Sequence, residues 1–338
     1  MKKVSLKEIA SLVGASPSTV SFVLNGKGKQ MRISEILEKK IKEVARKEGY
    51  HPNQVAVSLR TGQSKILGLI VESIGGHFFG SLARVIEEEA EKFGYRIIYC
   101  STENNADKGR DMIRMLSQSQ VDGYLITPVE GMEGDIKALL KQEKPLVLID
   151  GYYPKISAPY VLVDNAAGVS KGMKHLISKG YRNIAFVTVQ MDLVQLNERQ
   201  EAYIAELKKH KLPVSKKLIF KLPYNYDKQA GAEALCGFIK RHPDLDAIFF
   251  ATNYLGITGL QSIRKLNLRI PEDIAVICFD DHDIFSLYPP GIDSLQQPVE
   301  EIAITAIHLL LKQLGKNTIK TKSTGIQVKG SFVIRGSS

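Results

Sequence analysis

An all-α head followed by a two-lobed α/β domain with parallel sheets is the fold class this sequence predicts. Three observations carry the prediction. Residues 4–26, VSLKEIASLVGASPSTVSFVLNG, read as two short helices around a tight turn. From Ile66 onward, short apolar runs alternate with amphipathic helical stretches. Positive charge gathers at one end: residues 1–65 hold ten Lys and three Arg against five Glu, eight of the chain's ten excess charges. A chain of 338 residues is also too long for one ordinary domain.

In the head, Ser5 with Glu8 three residues on makes a capping box. Leu6, Ile9, Ala10 and Val13 recur at helical spacing and form one apolar face. Gly14 supplies the left-handed residue that ends the helix. Ser16 is a natural N-cap for the next one, with Pro17 at the first helical position. Val20, Val23 and Leu24 face inward. Ser18, Thr19, Ser21, Phe22 and Asn25 make the other side small and mostly polar, the surface a helix needs to enter a major groove. The local excess of Lys and Arg can neutralise phosphates. A third helix is predicted from Ser34 to about Glu48, with Leu37, Ile41 and Val44 inward. The head therefore occupies 1–52, and 53–65 is a linker with a short helical stretch, NQVAVSLR.

The second part predicts strands at 66–71, 96–100, 122–127 and 145–150, with helices near 79–93, 107–118 and 134–143 between them. VLVD at 161–164 leads into a second half. Its strands are predicted near 184–189, 217–221, 247–251 and 274–279, and its helices near 166–179, 198–210, 228–241 and 254–266. Such alternation requires parallel sheets covered by helices on both faces, with a ligand cleft at the strand C-termini.

Composition excludes several classes. No run approaches the ~18 apolar residues of a membrane span. Lys7 and Glu8 interrupt the place of a signal-peptide core, so a cytoplasmic location is expected. Cys100, Cys236 and Cys278 are an odd, widely spaced set, read as reduced thiols rather than a disulfide frame or zinc site. Gly75 and Gly80-Ser81 resemble half of a phosphate loop, but its lysine is missing. Asp280, Asp281, His282 and Asp283 are adjacent and cannot readily face one ion. No Ser/His/Asp or Cys/His set has supporting spacing, so no catalytic residues, metal or cofactor are assigned.

Residues 4–26, above all S-x-S-T-V-S-x-V-L-N-G at Ser16–Gly26, resemble the helix-turn-helix signature of the lac-repressor (LacI/GalR) family of bacterial transcription regulators. IPEDIAVICFDD at 270–281, DSLQQP at 293–298 and VKGSF at 328–332 extend the resemblance over the whole chain. It implies a periplasmic-binding-protein-like (type I) effector-binding and dimerisation domain at 66–338. Lobe 1 would be about 66–161 and 297–338, and lobe 2 about 162–296. A periplasmic solute-binding protein shares that fold, but the basic head argues against it.

The resemblance implies a homodimeric regulator, a repressor by this reading, that binds double-stranded operator DNA and answers to a small-molecule effector, a sugar or related metabolite. It implies positioning roles for Ser5, Thr19, Ser21 and Asn25, base reading by Pro17, Ser18 and Phe22, and a hinge helix whose Leu59 enters the minor groove. Phe22 stands where many relatives carry arginine; it can meet a thymine methyl but cannot grip guanine. For the effector the resemblance implies His77, Phe78, Arg199 in R-x-x-A-Y, Asn253, Tyr254, Asp280 and Gln296. Tyr254 replaces a common Asp, and Gly151 a common Arg.

Overall fold

The computed structural model describes residues 4–50, 58, 61–315 and 325–338. They fall into two compact units, Met1–Ser64 and Lys65–Ser338. In the first, α1 (Leu6–Val13), α2 (Pro17–Leu24) and α3 (Glu35–Lys47) enclose a small core. The capping box forms in both directions: the Glu8 amide donates to Ser5 Oγ, and the Ser5 amide donates to Glu8 Oε2 at 2.6 Å. Gly14 takes a φ of 71° at the end of α1, where a Cβ would be strained. Ser16 caps α2 by accepting from the Thr19 amide. Ile9, Val13, Val20, Val23 and Ile41 are the buried hub.

The larger unit holds two six-stranded sheets. β1 (Ile66–Val71), β2 (Arg96–Ser101), β3 (Gly123–Ile126), β4 (Leu146–Ile149), β5 (Tyr160–Val163) and β11 (Gly325–Val328) lie in the order β2-β1-β3-β4-β5-β11, every pair parallel. β6 (Ile184–Val189), β7 (Ile219–Leu222), β8 (Ala247–Phe250), β9 (Ala275–Phe279), β10 (Asp293–Gln296) and β12 (Ser331–Val333) repeat that order as β7-β6-β8-β9-β10-β12, with β12 antiparallel. The strand composition follows from burial on both faces. In β1, Leu67, Leu69 and Val71 enter one core cluster while Ile70 enters another on the opposite face.

The lobe boundaries differ from the sequence reading at two places. β5 stays in the first sheet through Val163, so the first crossing comes later than 161. The segment 297–338 was placed wholly in the first lobe. Its helix Val299–Leu314 does pack on β3, β4 and β5, but the chain crosses again after Val328, and β12 pairs with β10. Side chains explain the return. Asp293 is fully buried, and its carboxylate accepts from the Arg335 and Gly336 amides and the Ser338 hydroxyl. The Arg335 guanidinium donates to Asp281 at 2.7 and 2.9 Å. Asp293→Ala would strand these buried donors, and is expected to cost about 2–4 kcal/mol in chemical denaturation.

The topology sets the site. Both sheets have the doubly wound order in which ligands sit beyond the carboxyl ends of the strands. Glu72 follows β1, Asp150 follows β4, Asp280 follows β9 and Gln297 follows β10. Asp150 and Asp280 occupy corresponding places in the two repeats, and both are left-handed, at φ 65° and 67°. Aspartate tolerates that conformation better than most residues.

Candidate functional site

Two sites were expected, one in each unit. In the head, α2 begins at Pro17, whose lack of an amide costs nothing at that position. Pro17, Ser18 and Asn25 are exposed, and Thr19, Ser21 and Phe22 are half-buried. Their polar groups are ordered: Thr19 Oγ1 lies 2.8 Å from Ser16 Oγ, and Asn25 Nδ2 donates to the Ser21 carbonyl at 2.6 Å. Ser5 is exposed and holds the start of α1. Phe22 is half-buried and is not among the described side chains packed on the head's core. Lys27, Lys29 and Arg32 follow α2 and are exposed. Leu59 and most of the expected hinge segment lie outside the described residues.

In the larger unit the lobes face each other across a cleft that holds a cavity of about 100 Å³. Its first-lobe wall includes Glu72, His77, Phe78, Asn104 and Asp150, and its second-lobe wall Gln195, Arg199, Asn253, Tyr254 and Asp280. Six of the seven residues expected there, His77, Phe78, Arg199, Asn253, Tyr254 and Asp280, line it. Gln296 does not. It is exposed on β10 beside Ser331, and the next residue, Gln297, turns into the cleft and donates to Asp280 at 2.5 Å. The correction is one of strand alternation: neighbouring residues point to opposite sides.

Arg199 stands near the centre, only 2% exposed. Its Nε donates to Asn165 Oδ1 at 2.8 Å and its Nη1 to the Ala251 carbonyl at 2.7 Å. The guanidinium lies 3.7 Å from the centroid of the Phe279 ring and 3.6 Å from Asp280. Arg199 is therefore a strut of the second lobe as well as part of the cleft wall.

Glu72, Asp150 and Gln195 escaped sequence reading. Nothing in their local sequence distinguishes them; only the end of a strand or the first turn of a helix places them in the cleft. The helix Val194–Lys209 starts four residues earlier than predicted, which carries Gln195 and Leu196 into the wall. Gly151 gains a reason as well. A Cβ there would lie 2.9 Å from Gln195 Oε1, so glycine lets Gln195 approach Asp150, to which its Nε2 donates at 3.4 Å.

The carboxylates of the cleft are hard to ionise. Burial pushes Asp150 up to about 8, with Asp280 and Glu72 adding repulsion and Arg199 opposing it. Burial also raises Asp280, against the pull of Arg199 and the Gln297 hydrogen bond, and it raises Glu72 despite the Tyr224 hydroxyl. The sign for stability follows. A folded carboxyl with a raised pKa holds its proton where the unfolded chain has lost it, so stability falls as pH rises from about 4 to about 8. Ligand-free protein is expected to melt lower at pH 8 than at pH 5.5, and Asp150→Asn to flatten that difference; identical slopes in a thermal scan would refute the burial of this charge.

Among the described residues, three side-chain hydrogen bonds join the lobes: Tyr224 to Glu72 at 2.7 Å, Gln195 to Asp150, and Tyr152 to Glu198 at 3.1 Å. The His77 ring, on the cleft wall, lies 4.8 Å from that of His282. Breaking one such latch loosens the closed arrangement. Tyr224→Phe is expected to weaken effector binding by about threefold to tenfold in calorimetry, the cost of one charge-assisted hydrogen bond in part.

Asp281 is turned from the cleft into its pairing with Arg335, so adjacent Asp280 and Asp281 do not converge. Cys100 and Cys278 are buried and Cys236 half-buried, all three as free thiols. Among the described residues, no helix is long and apolar enough to cross a membrane.

Comparison with known proteins covers both units. Residues 5–53 match the model for bacterial regulatory proteins of the lacI family, and 173–338 match that for a periplasmic binding protein-like domain. The HTH-type transcriptional regulator KdgR of Bacillus subtilis (strain 168) is 28% identical over 311 residues, 92% of this chain and 91% of its own. Catabolite control protein A of Priestia megaterium is 28% identical over 317 residues, 94% of each chain. The crystal structure of the lac repressor dimer bound to operator and an anti-inducer matches with a TM-score of 0.87 over 99% of both chains. At 19% identity that likeness is one of fold. The relatives are transcriptional regulators rather than enzymes, and so is this chain. With its helix-turn-helix head and periplasmic-binding-protein-like domain, the protein belongs to the LacI family of DNA-binding transcriptional regulators.

Proposed function

We propose that this chain is an effector-responsive repressor that acts in the cytoplasm as a homodimer on a pseudo-palindromic operator. Two heads related by a two-fold axis read the half-sites, through Pro17, Ser18 and Phe22 at the bases and Ser5, Thr19, Ser21 and Asn25 at the backbone. The effector occupies the cleft between lobes bounded near 164, 297 and 329. By favouring one lobe arrangement it biases the hinge at 53–65, and with it the affinity for DNA.

The observation that carries this reading is the pairing, in one chain, of an ordered α2 surface with a cleft whose walls are latched together by Tyr224 and Glu72. A ligand that contacts both walls can favour the latched arrangement over an open one. The solved lac repressor complex with operator and anti-inducer gives a precedent of the same fold.

The test is selection of random duplex DNA on purified protein at fixed salt, with and without a metabolite pool. An enriched palindrome whose yield changes with the pool is the expected result. Salt-sensitive binding without sequence preference would overturn the reading. Leu59→Ala is expected to weaken binding to the selected operator by roughly tenfold or more, since an apolar wedge would be lost, while leaving effector binding unchanged. Equal loss of both would remove Leu59 from the hinge role.

A further inference from the structure

We propose that the effector of this protein is a hydroxylated compound bearing a basic amine, and that sugar acids and sugar phosphates are excluded from the cleft. The inference rests on the effector reading above and deepens it.

Charge balance comes first. Glu72, Asp150 and Asp280 converge on one cavity from the ends of β1, β4 and β9. The one Arg or Lys among the described lining residues is Arg199. Its Nε and Nη1 are spent on Asn165 and Ala251, and the carboxylate within ion-pair reach is Asp280. Glu72 and Asp150 are left with neutral partners, Tyr224 and Gln195. Asp150 is buried and Glu72 half-buried, the Arg199 charge is shared between Asp150 and Asp280, and a ligand cation beside the two carboxyl groups stabilises their charged forms. An anion placed there would disfavour ionisation of all three carboxyl groups further, with Arg199 already facing Asp280.

The second observation is independent of charge. Gln195 and Gln297 are each more than nine-tenths buried, and the side-chain oxygen of each has no hydrogen-bond partner. Both residues line the same cavity. A buried acceptor left unpaired is unfavourable, and its natural complement is a donor. Two buried amide oxygens of the cleft thus lack a donor, and the carboxyl oxygens can accept from a ligand as well. A ligand rich in N–H and O–H donors fits them, whereas phosphate and carboxylate oxygens, which only accept, do not. Burial, with repulsion from Asp280 and Glu72 added, makes Asp150 reluctant to ionise, and an ammonium group beside it offsets both. Phe78 and Tyr254 supply ring faces for the carbon skeleton.

The experiment uses the full chain and a bacterial small-molecule extract separated by ion exchange at neutral pH into cation-retained, anion-retained and unretained fractions. Each is scored for the shift in melting temperature and for the change in operator binding. The cation-retained fraction is expected to act. Glu72→Gln and Asp150→Asn, both near-isosteric, are expected to raise its half-saturating concentration by about tenfold or more, as loss of a charge-assisted hydrogen bond does. Action confined to the anion-retained or unretained fraction would overturn the amine assignment and leave the effector reading standing. Silence of all three fractions would overturn both. Unchanged sensitivity of the two variants to an active cationic fraction would place the amine elsewhere and defeat the proposal.

Discussion

Arg199→Ala should abolish the effector response and destabilise the larger unit by about 3 kcal/mol, lowering its melting temperature by roughly 6–12 °C. The size of the effect follows from what the guanidinium touches. Removing it strands the Asn165 oxygen and the Ala251 carbonyl, takes a cation from the Phe279 face, and leaves Asp280 without its ion-pair partner. Asp280 can relieve part of the penalty by taking up a proton, since burial already favours its neutral form. Lysine at 199 should not restore function, because a single ammonium cannot meet two acceptors with fork geometry. Below the melting transition, ligand-free binding to operator should persist. A variant that melts within one or two degrees of the parent and still responds to effector would remove Arg199 from both roles.

Ile9→Ala should uncouple the two units. Ile9 is fully buried at the hub of the head, touching the cluster that holds Val13, Val20, Val23 and Ile41. Truncation of a buried isoleucine costs about 2–5 kcal/mol. A core this small supplies little more than that in total. Operator binding is therefore expected to fall by more than about 100-fold at 37 °C, while the unfolding transition of residues 65–338, a separate compact unit, stays in place. Retention of operator binding within about twofold would show that the head draws its stability from elsewhere.

Much of this was legible before the fold was known. Caps and glycines announce α1 and α2 because their physics is local: Ser5, Gly14, Ser16 and Pro17 satisfy or spare amides within their own turn. The strands announce themselves because sheets buried on both faces need uninterrupted apolar runs. Arg199 and Asp280 were found through a resemblance of pattern, and both line the cleft. Gln296 was off by one position, since a strand's end reverses facing at each residue and its last inward position depends on where pairing stops. The final crossing into the second lobe was missed because its cause is distant: Asp293 gathers the amides of Arg335 and Gly336 from more than forty residues away.

By itself, then, the sequence determined the head, its basic charge, the alternation that makes two doubly wound sheets, and the family to which the chain is compared. Those features depend on neighbours along the chain or on composition. Tertiary structure decided which side chains meet. Glu72, Asp150 and Asp280 are far apart in sequence, yet parallel strands end on the same side of their sheets and bring all three to one cavity. Whether a buried carboxyl there is paired, and which amide oxygens are left waiting for a donor, depends on atoms contributed by other strands and helices. No local pattern encodes that.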